Sequence, residues 1–397
     1  MADDKQTNFK AAKEIGQKGI SFSMARVPES GRYYFGTSDF SVYDVDHLAE
    51  KPEPKAFEGE GHQSYVMGVA LTKKHVVTGG WDRHLVWWDR ETGKPVRRQK
   101  AHTKWLRGVE VSPDGKRIIS VGDDMIARVW DAVSGKLLHE LEGHAKQTPT
   151  HYPSMLFCAG FSPDGQLLAT GDKLGHVIIR ETKTFKPVKT LDAPGHYTWD
   201  PRARRHSIGG LRSLRFSPDG KQLYTGGIEK IGNVDHLGAP GRLEIFDWEK
   251  GESLKVIKNG GSFKGLVEHI EFAPDGKWAV LGGGDHGGWL VFVDTQEMKI
   301  TRELKAPMHI HEFNLNEVGN QIFTVGHEKS VRLDLQVCRP LGQAQSALAG
   351  IGQQKMKTKP HPPRILIKPG SGVYTQKANY RTEDNKYSNS TNFLERN

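Results

Sequence analysis

Cysteine is nearly missing from this 397-residue chain, which has only Cys158 and Cys338. Two cysteines cannot build the disulfide framework of a small secreted domain. Cys158, inside the apolar run MLFCAGF, reads as a small core residue. Long hydrophobic runs are missing too: none approaches the ~18 apolar residues of a membrane span. The opening segment MADDKQTNFKAAKEIGQ has no apolar stretch of signal-peptide type. A soluble, non-exported, cytoplasmic protein without membrane contact is the expectation. Without secretion, the sequon Asn389-Ser390-Thr391 carries no meaning. Neither a phosphate-binding P-loop nor a nucleophile elbow appears, and His327-Glu328 continues into Lys-Ser rather than a zinc-protease pattern.

Charge of one sign is in excess but unevenly placed. The net charge is +9, yet residues 339–397 hold ten Lys and Arg against three Asp and Glu, which is +7 of it. Basicity is therefore a property of the tail, where small polar, proline-containing and uniformly polar stretches predict loose packing. Lys355, Lys357, Lys359 and Arg364 would lead any weak contact with nucleic acid.

What the chain does have is self-similarity. A turn signal recurs as PESG at 28, SPDG at 112, 162 and 217, APDG at 273 and NEVG at 316, with TKKH at 72 in the same series. Pro presets φ and Asp-Gly relaxes the next positions, so each is a tight connection between two strands. Short β-like runs flank every turn, such as GVEVS and RIISVG around 112. A third run follows each pair: LVWWD, ARVWD, HVIIRE, RLEIFD, LVFVD and VRLDL. Counting SFSMARVPESGRYYFGTSDFSVYDVD at the start, the pattern gives seven units.

Over residues 19–336 these units resemble WD40 repeats, and the resemblance implies an all-β, seven-bladed propeller whose radial closure protects its sheet edges. Residues 1–18 form an N-terminal lead and 337–397 a basic, flexible C-terminal tail. The family usually borrows its closing strand from the N-terminus, which suggests residues 8–14; RILIK at 364–368 is the weaker candidate. In that family a His, a Ser or Thr, an Asp and a Trp of one blade form a hydrogen-bonded chain. The matches are His62, Thr78, Asp82 and Trp88 in the second unit, and His102, Ser120, Asp124 and Trp130 in the third. On paper this is also a hydrolase triad, but repetition and the added Trp favour structural cement. The fourth unit keeps His144 and Thr170 but has Leu174 and Arg180 at the Asp and Trp positions. His196 and His309 take the structural histidine position in the fifth and seventh.

Irregularity is informative where units swell. Three insertions, AKQTPTHYPSM, YTWDPRARRHSIGG and EKIGNVDHLGAPG, would crowd one face of the fourth and fifth blades. Insertions gathered on one face often mark a binding surface. Tyr152, Tyr197 and Trp199 are candidate anchors, beside Asp200, Arg202, Arg204, Arg205, Lys230, His151, His206 and His236. The competing reading is that these aromatics pack the loops onto one another. The loops also resemble those of some planctomycete-type bacterial WD-repeat chains, a likeness that brings no activity. The function expected is non-enzymatic: a scaffold binding a protein or peptide, acting as a monomer within a larger complex, with no catalytic residues, cofactor or metal. Two alternatives stay open. One is a metal-dependent hydrolase or lactonase drawing on His144, His151, His176, His196 or His206; the other is a nucleic-acid-associated accessory protein using the tail.

Overall fold

A computed structural model describes residues 8–201, 205–232, 234, 237–259 and 264–336. Among them there is no α-helix, only one 3-10 turn at Pro194–His196. Everything else regular is antiparallel sheet, and the turns explain why. In the Ser-Pro-Asp-Gly turn at 112, the Ser112 hydroxyl donates to Asp114 Oδ1 (2.6 Å) and accepts from the Arg117 amide (3.0 Å). Gly115 takes φ +70°, where any Cβ would be strained, and its N–H donates to the Ser112 carbonyl (2.8 Å). The turns at 162 and 217 repeat these bonds. The connections from third to fourth strand, at the same end, turn on Asp: Asp89 accepts from the amide and hydroxyl of Thr92, and Asp131 from those of Ser134.

Five sheets have four strands each, and they contain the second to sixth units. A sixth sheet runs in the order Ile310–Leu315, Gln321–Leu335, Phe9–Arg26, Arg32–Thr37, Val42–Asp46, Lys55–Ala56. The blade sheets therefore number six rather than the seven expected. The cause is one long strand, Phe9–Arg26. Its first half pairs with the last strand (Phe9 opposite Leu335, Gly16 opposite Lys329), and its second half pairs with Arg32–Thr37 (Met24 opposite Phe35). The last unit and the first are thereby joined without a break. The strand also runs through residue 18, so the N-terminal lead and the first unit are continuous. Residues 364–368, the weaker closing candidate, lie outside the described residues.

The innermost strands follow one another around an axis. Each packs beside the next, from Phe9–Arg26 through Val66–Leu71, Leu106–Val111, Leu156–Phe161, Ser213–Phe216 and Leu266–Phe272 to Ile310–Leu315, which returns to Phe9–Arg26. The apolar core lies between neighbouring sheets. Trp87, Leu85 and Val77 of the second unit meet Leu106, Ile118 and Trp130 of the third, for example. At the closure, Phe9 joins Trp278, Phe292, Ile310, Phe313 and Leu333 in one cluster. Its ring lies parallel to Phe292 (centroids 5.6 Å apart) and edge-on to Trp278 (6.1 Å).

Phe9→Ala removes a ring that is 2% exposed from this closure, and the loss expected is ~3–5 kcal/mol. Denaturant unfolding would read it, with the exposed neighbour Lys10→Ala within about 0.5 kcal/mol of the parent. Equal effects of the two changes would mean that the closing strand adds little to stability.

Candidate functional site

The two predicted side-chain chains are assembled bond by bond. Trp88 Nε1–H, which can only donate, reaches Thr78 Oγ1 (2.8 Å). The hydroxyl proton of Thr78 is thus left for His62 Nε2 (2.8 Å), and His62 Nδ1–H faces Asp82 (3.1 Å). The third unit repeats the order: Trp130 to Ser120 (2.9 Å), Ser120 to His102 (2.8 Å), and His102 to Asp124 (2.9 Å). Burial pushes the Asp82 carboxyl up, but the His62 bond and charge and the Gln63 and His84 amides outweigh it and hold the group at about 2. The same balance, with His102, the Thr103 amide and Arg128, keeps Asp124 well below the usual carboxylate range. Ser120 is fully buried, its hydroxyl held between Trp130 and His102.

The fourth unit also completes its chain, by other residues than those the spacing predicts. His144 Nδ1 bonds Asp172 (2.8 Å), two positions before Leu174, and Arg180 donates to Thr170 (3.2 Å) where an indole would stand. The fifth and seventh units do not follow. Both ring nitrogens of buried His196 lack a hydrogen-bond partner, and burial together with the Arg242 charge lowers its pKa to about 3. Thr225 and Thr324 donate instead to the carbonyls of Glu244 and Val331. His309 turns away from any such chain, its Nδ1–H donating to the Asp285 carbonyl (3.1 Å).

The long insertions do meet. Tyr197–Asp200 and His206–Gly209 form a two-stranded hairpin in which Trp199 stands opposite Ser207 and Asp200 opposite His206. The Trp199 ring lies 5.2 Å from that of Tyr152, and the Ile231 amide donates to Thr198 Oγ1 (2.9 Å). Part of the aromatic surface is therefore used to hold the loops together. Tyr152, His151, Arg205 and Lys230 are exposed, while Tyr197, Trp199, Asp200 and His206 are half-buried. Arg202, Arg204 and His236 lie outside the described residues. Of the five histidines considered for a metal, His144 and His176 have rings 5.7 Å apart, His144 serving its chain and His176 pairing with Asp192 (2.8 Å); among the described residues the five form no three-ligand cluster.

A second surface was missed in the sequence. Phe9–Arg26 carries a β-bulge at Phe22, and five other innermost strands carry one near their start, at Met67, Arg107, Phe157, Glu268 and His311. A bulge re-aims a side chain that regular alternation would place elsewhere. All five line one end of an axial cavity of about 110 Å³. Around that mouth runs an arc of rings. Trp81 and Trp105 stack in parallel (4.4 Å), Tyr65 leans on Trp81 (4.8 Å), and Phe22 joins Tyr65 (5.5 Å) to His311 (5.3 Å). Arg107 lies over Trp81, Trp105 and Phe157 while its guanidinium forks onto Asp123 (2.8 Å twice), and Arg212 sits over Phe157 at 3.8 Å. None of these rings belongs to a core cluster, and the Trp81 indole N–H has no hydrogen-bond partner. A signal was available: Tyr65 and Trp105 each stand three residues after the chain histidine of their unit.

Deeper along the axis are buried charges. Glu312 Oε2 accepts from the Met24 amide (2.8 Å), and His269 lies between Glu312 (3.7 Å) and Arg215 (3.5 Å). Burial raises the Glu312 carboxyl from 4.5 to about 8 and Glu271 to about 7.

Sheets set radially about an axis and cemented by repeated His–Ser/Thr–Asp–Trp chains define an all-β propeller of the WD type. Residues 55–89, 93–131 and 135–179 match the family described as WD domain, G-beta repeat. These three segments are WD40 repeats. Among relatives, the mouse Telomerase protein component 1 is 27% identical over 61% of this chain and 8% of its own length. Nuclear distribution protein PAC1 of Coccidioides posadasii is 30% identical over 52% of this chain and 41% of its own. Human Apoptotic protease-activating factor 1 is 30% identical over 52% of this chain and 15% of its own. The matches thus span less than half the length of each relative. These animal and fungal relatives do not bear on the bacterial likeness of the loops.

A pH dependence follows from the axial carboxyls. A carboxyl whose pKa is raised on folding holds its proton where the unfolded chain has lost it, so it favours the folded state at low pH. That contribution is eroded from about 4.5 upward and is gone once the pH passes about 8. The melting temperature is expected to fall between pH 6 and 9, and to fall less in Glu312→Gln, which keeps the shape and cannot ionise. Identical slopes in the two proteins would remove Glu312 as the cause.

Proposed function

We propose that this protein is a non-enzymatic scaffold whose axial mouth docks an extended segment of a partner protein. We count its ring as seven units by the innermost strands, with the first and seventh sharing a sheet. The ring arc carries the reading: half-buried Tyr65, Trp105 and Phe157, backed by buried Phe22 and Trp81, are large aromatics outside the core clusters, rimming a cavity under two arginines. Rigid aromatics and Arg are the side chains that dominate protein-binding energy, because they bury much area at little entropic cost. Charge on the partner would be acidic, matching exposed Arg205 and Lys230 on the neighbouring loops. The loops of the fourth and fifth units, with Tyr152, Tyr197 and Trp199, serve as a flanking contact. The kinship with WD40-repeat proteins supports an interaction role, and a cytoplasmic location within a larger complex goes with it. The tail beyond 336 is outside the described residues, so a nucleic-acid role rests on its charge alone.

Affinity purification from nuclease-treated cells, read by mass spectrometry, tests the reading with two variants. Tyr65→Ala with Trp105→Ala should lose an abundant partner, since truncating anchors costs ~2 kcal/mol or more, about thirtyfold in Kd. Trp199→Ala with Arg205→Ala should only weaken it. The reverse pattern would move the site to the fourth and fifth units, and an unchanged partner list in both would sink the docking face.

A further inference from the structure

We propose that His309, His311 and His327, with Glu268, form a binding site for one divalent transition-metal ion, for which Zn²⁺ is the natural probe. The three imidazoles stand as a group. Their ring centroids are 4.4, 4.9 and 5.1 Å apart, and one donor nitrogen from each lies within 4.8 Å of the others. Tetrahedral Zn²⁺ with Zn–N of about 2.0–2.1 Å would set its donors about 3.3 Å apart, so shifts on the order of 1 Å close the site.

The hydrogen bonding of His309 points the same way. Its Nδ1–H donates to the Asp285 carbonyl, which can only accept, so Nε2 is left as a bare lone pair. This is how metal-binding histidines are commonly held: one ring nitrogen is fixed by a carbonyl and the other is presented to the ion. His309 is 8% exposed, yet its Nε2 has no hydrogen-bond partner, and neither does Nε2 of His311. Buried polar atoms left without partners cost ~1–3 kcal/mol each, which an ion would relieve. In the second, third and fourth units the imidazole accepts from a Ser or Thr hydroxyl; here Thr324 has gone to the Val331 carbonyl.

A carboxylate completes the set. Glu268 Oε1 lies 3.8 Å from His309 Nε2, and the bulges at Glu268 and His311 bring both residues to the cavity wall, which is the entry path. Imidazole with carboxylate suits Zn²⁺ and its neighbours rather than Ca²⁺ or Mg²⁺. The ion would tie the sixth unit, through Glu268, to the seventh.

Untagged, full-length protein stripped with chelator should bind one Zn²⁺ per chain by calorimetry, and Co²⁺ should give the strong visible bands of a tetrahedral site. His311→Ala and His327→Ala should each weaken Zn²⁺ binding by at least ~100-fold, and Glu268→Gln by ~10-fold. His176→Ala, at an exposed ion pair elsewhere, should bind as the parent does. Zn²⁺ should raise the melting temperature of the parent and not of His327→Gln, a milder change that guards against misfolding. No stoichiometric ion in the parent, or one still held by the His311→Ala, His327→Ala double variant, would overturn the site. Full affinity in Glu268→Gln would overturn the part given to the carboxylate.

Discussion

Each sheet of this protein would be marginal alone, because four short strands cannot bury both faces; stability comes from the neighbour on either side. A row of such sheets has two ends, and each end would expose an apolar face and an unpaired edge. The strand Phe9–Arg26 removes both ends at once. Half of it completes the last unit and half begins the first, so the place where the ring is closed is also a continuous hydrogen-bonded sheet. Phe9 then fills the space between Trp278 and Phe292 as an internal residue of any other unit would. The geometry of the axis, and therefore of the mouth, depends on that closure.

Within the second, third and fourth units a second constraint operates. A buried indole N–H or imidazole must find a partner, and the chain Trp–Ser/Thr–His–Asp satisfies four groups in sequence. Its members come from the third strand, the second strand, the approach to the first and the turn beyond the second. One chain therefore fixes the relative heights of all these segments. The fourth unit shows what is being conserved physically. Asp172 replaces a carboxylate two positions away, and Arg180 replaces the indole, but the hydroxyl still has a donor on one side and an imidazole on the other.

The repeats, the turns and the chains of the second and third units were legible because each depends on local spacing: a Pro-Asp-Gly turn, a fixed interval from His to Ser or Thr, and another to Trp. The chain of the fourth unit was not legible, since Asp172 sits at the end of a strand rather than in the turn, and only the fold shows that its carboxylate reaches His144. The sheet count was off by one for a similar reason. Spacing reveals units, but not that two of them share a strand. The axial mouth escaped notice because bulges break the alternation from which facing is read. Arg107 and His311 stand beside residues of opposite facing, and their convergence on one cavity depends on a local irregularity repeated around the ring.

The same irregularity explains why binding and metal chemistry would sit at one place. Regular inner strands would direct alternate side chains along the axis and between the sheets, leaving the mouth lined by whatever alternation supplied. A bulge adds one residue that need not pack in the core, and so its identity is free of core volume. Around this ring those residues are Phe22, Met67, Arg107, Phe157, Glu268 and His311, five chemistries at six positions on one repeated backbone. The cationic one belongs to the third unit and aromatic ones to the first and fourth, and the carboxylate and imidazole ones to the sixth and seventh. A ligand on the first side and an ion on the second would share a single rim, with Phe22 and His311 in ring contact between them. Occupancy of the metal site would thus set the position of a ring that the docked segment touches, coupling the two through one packed pair of side chains.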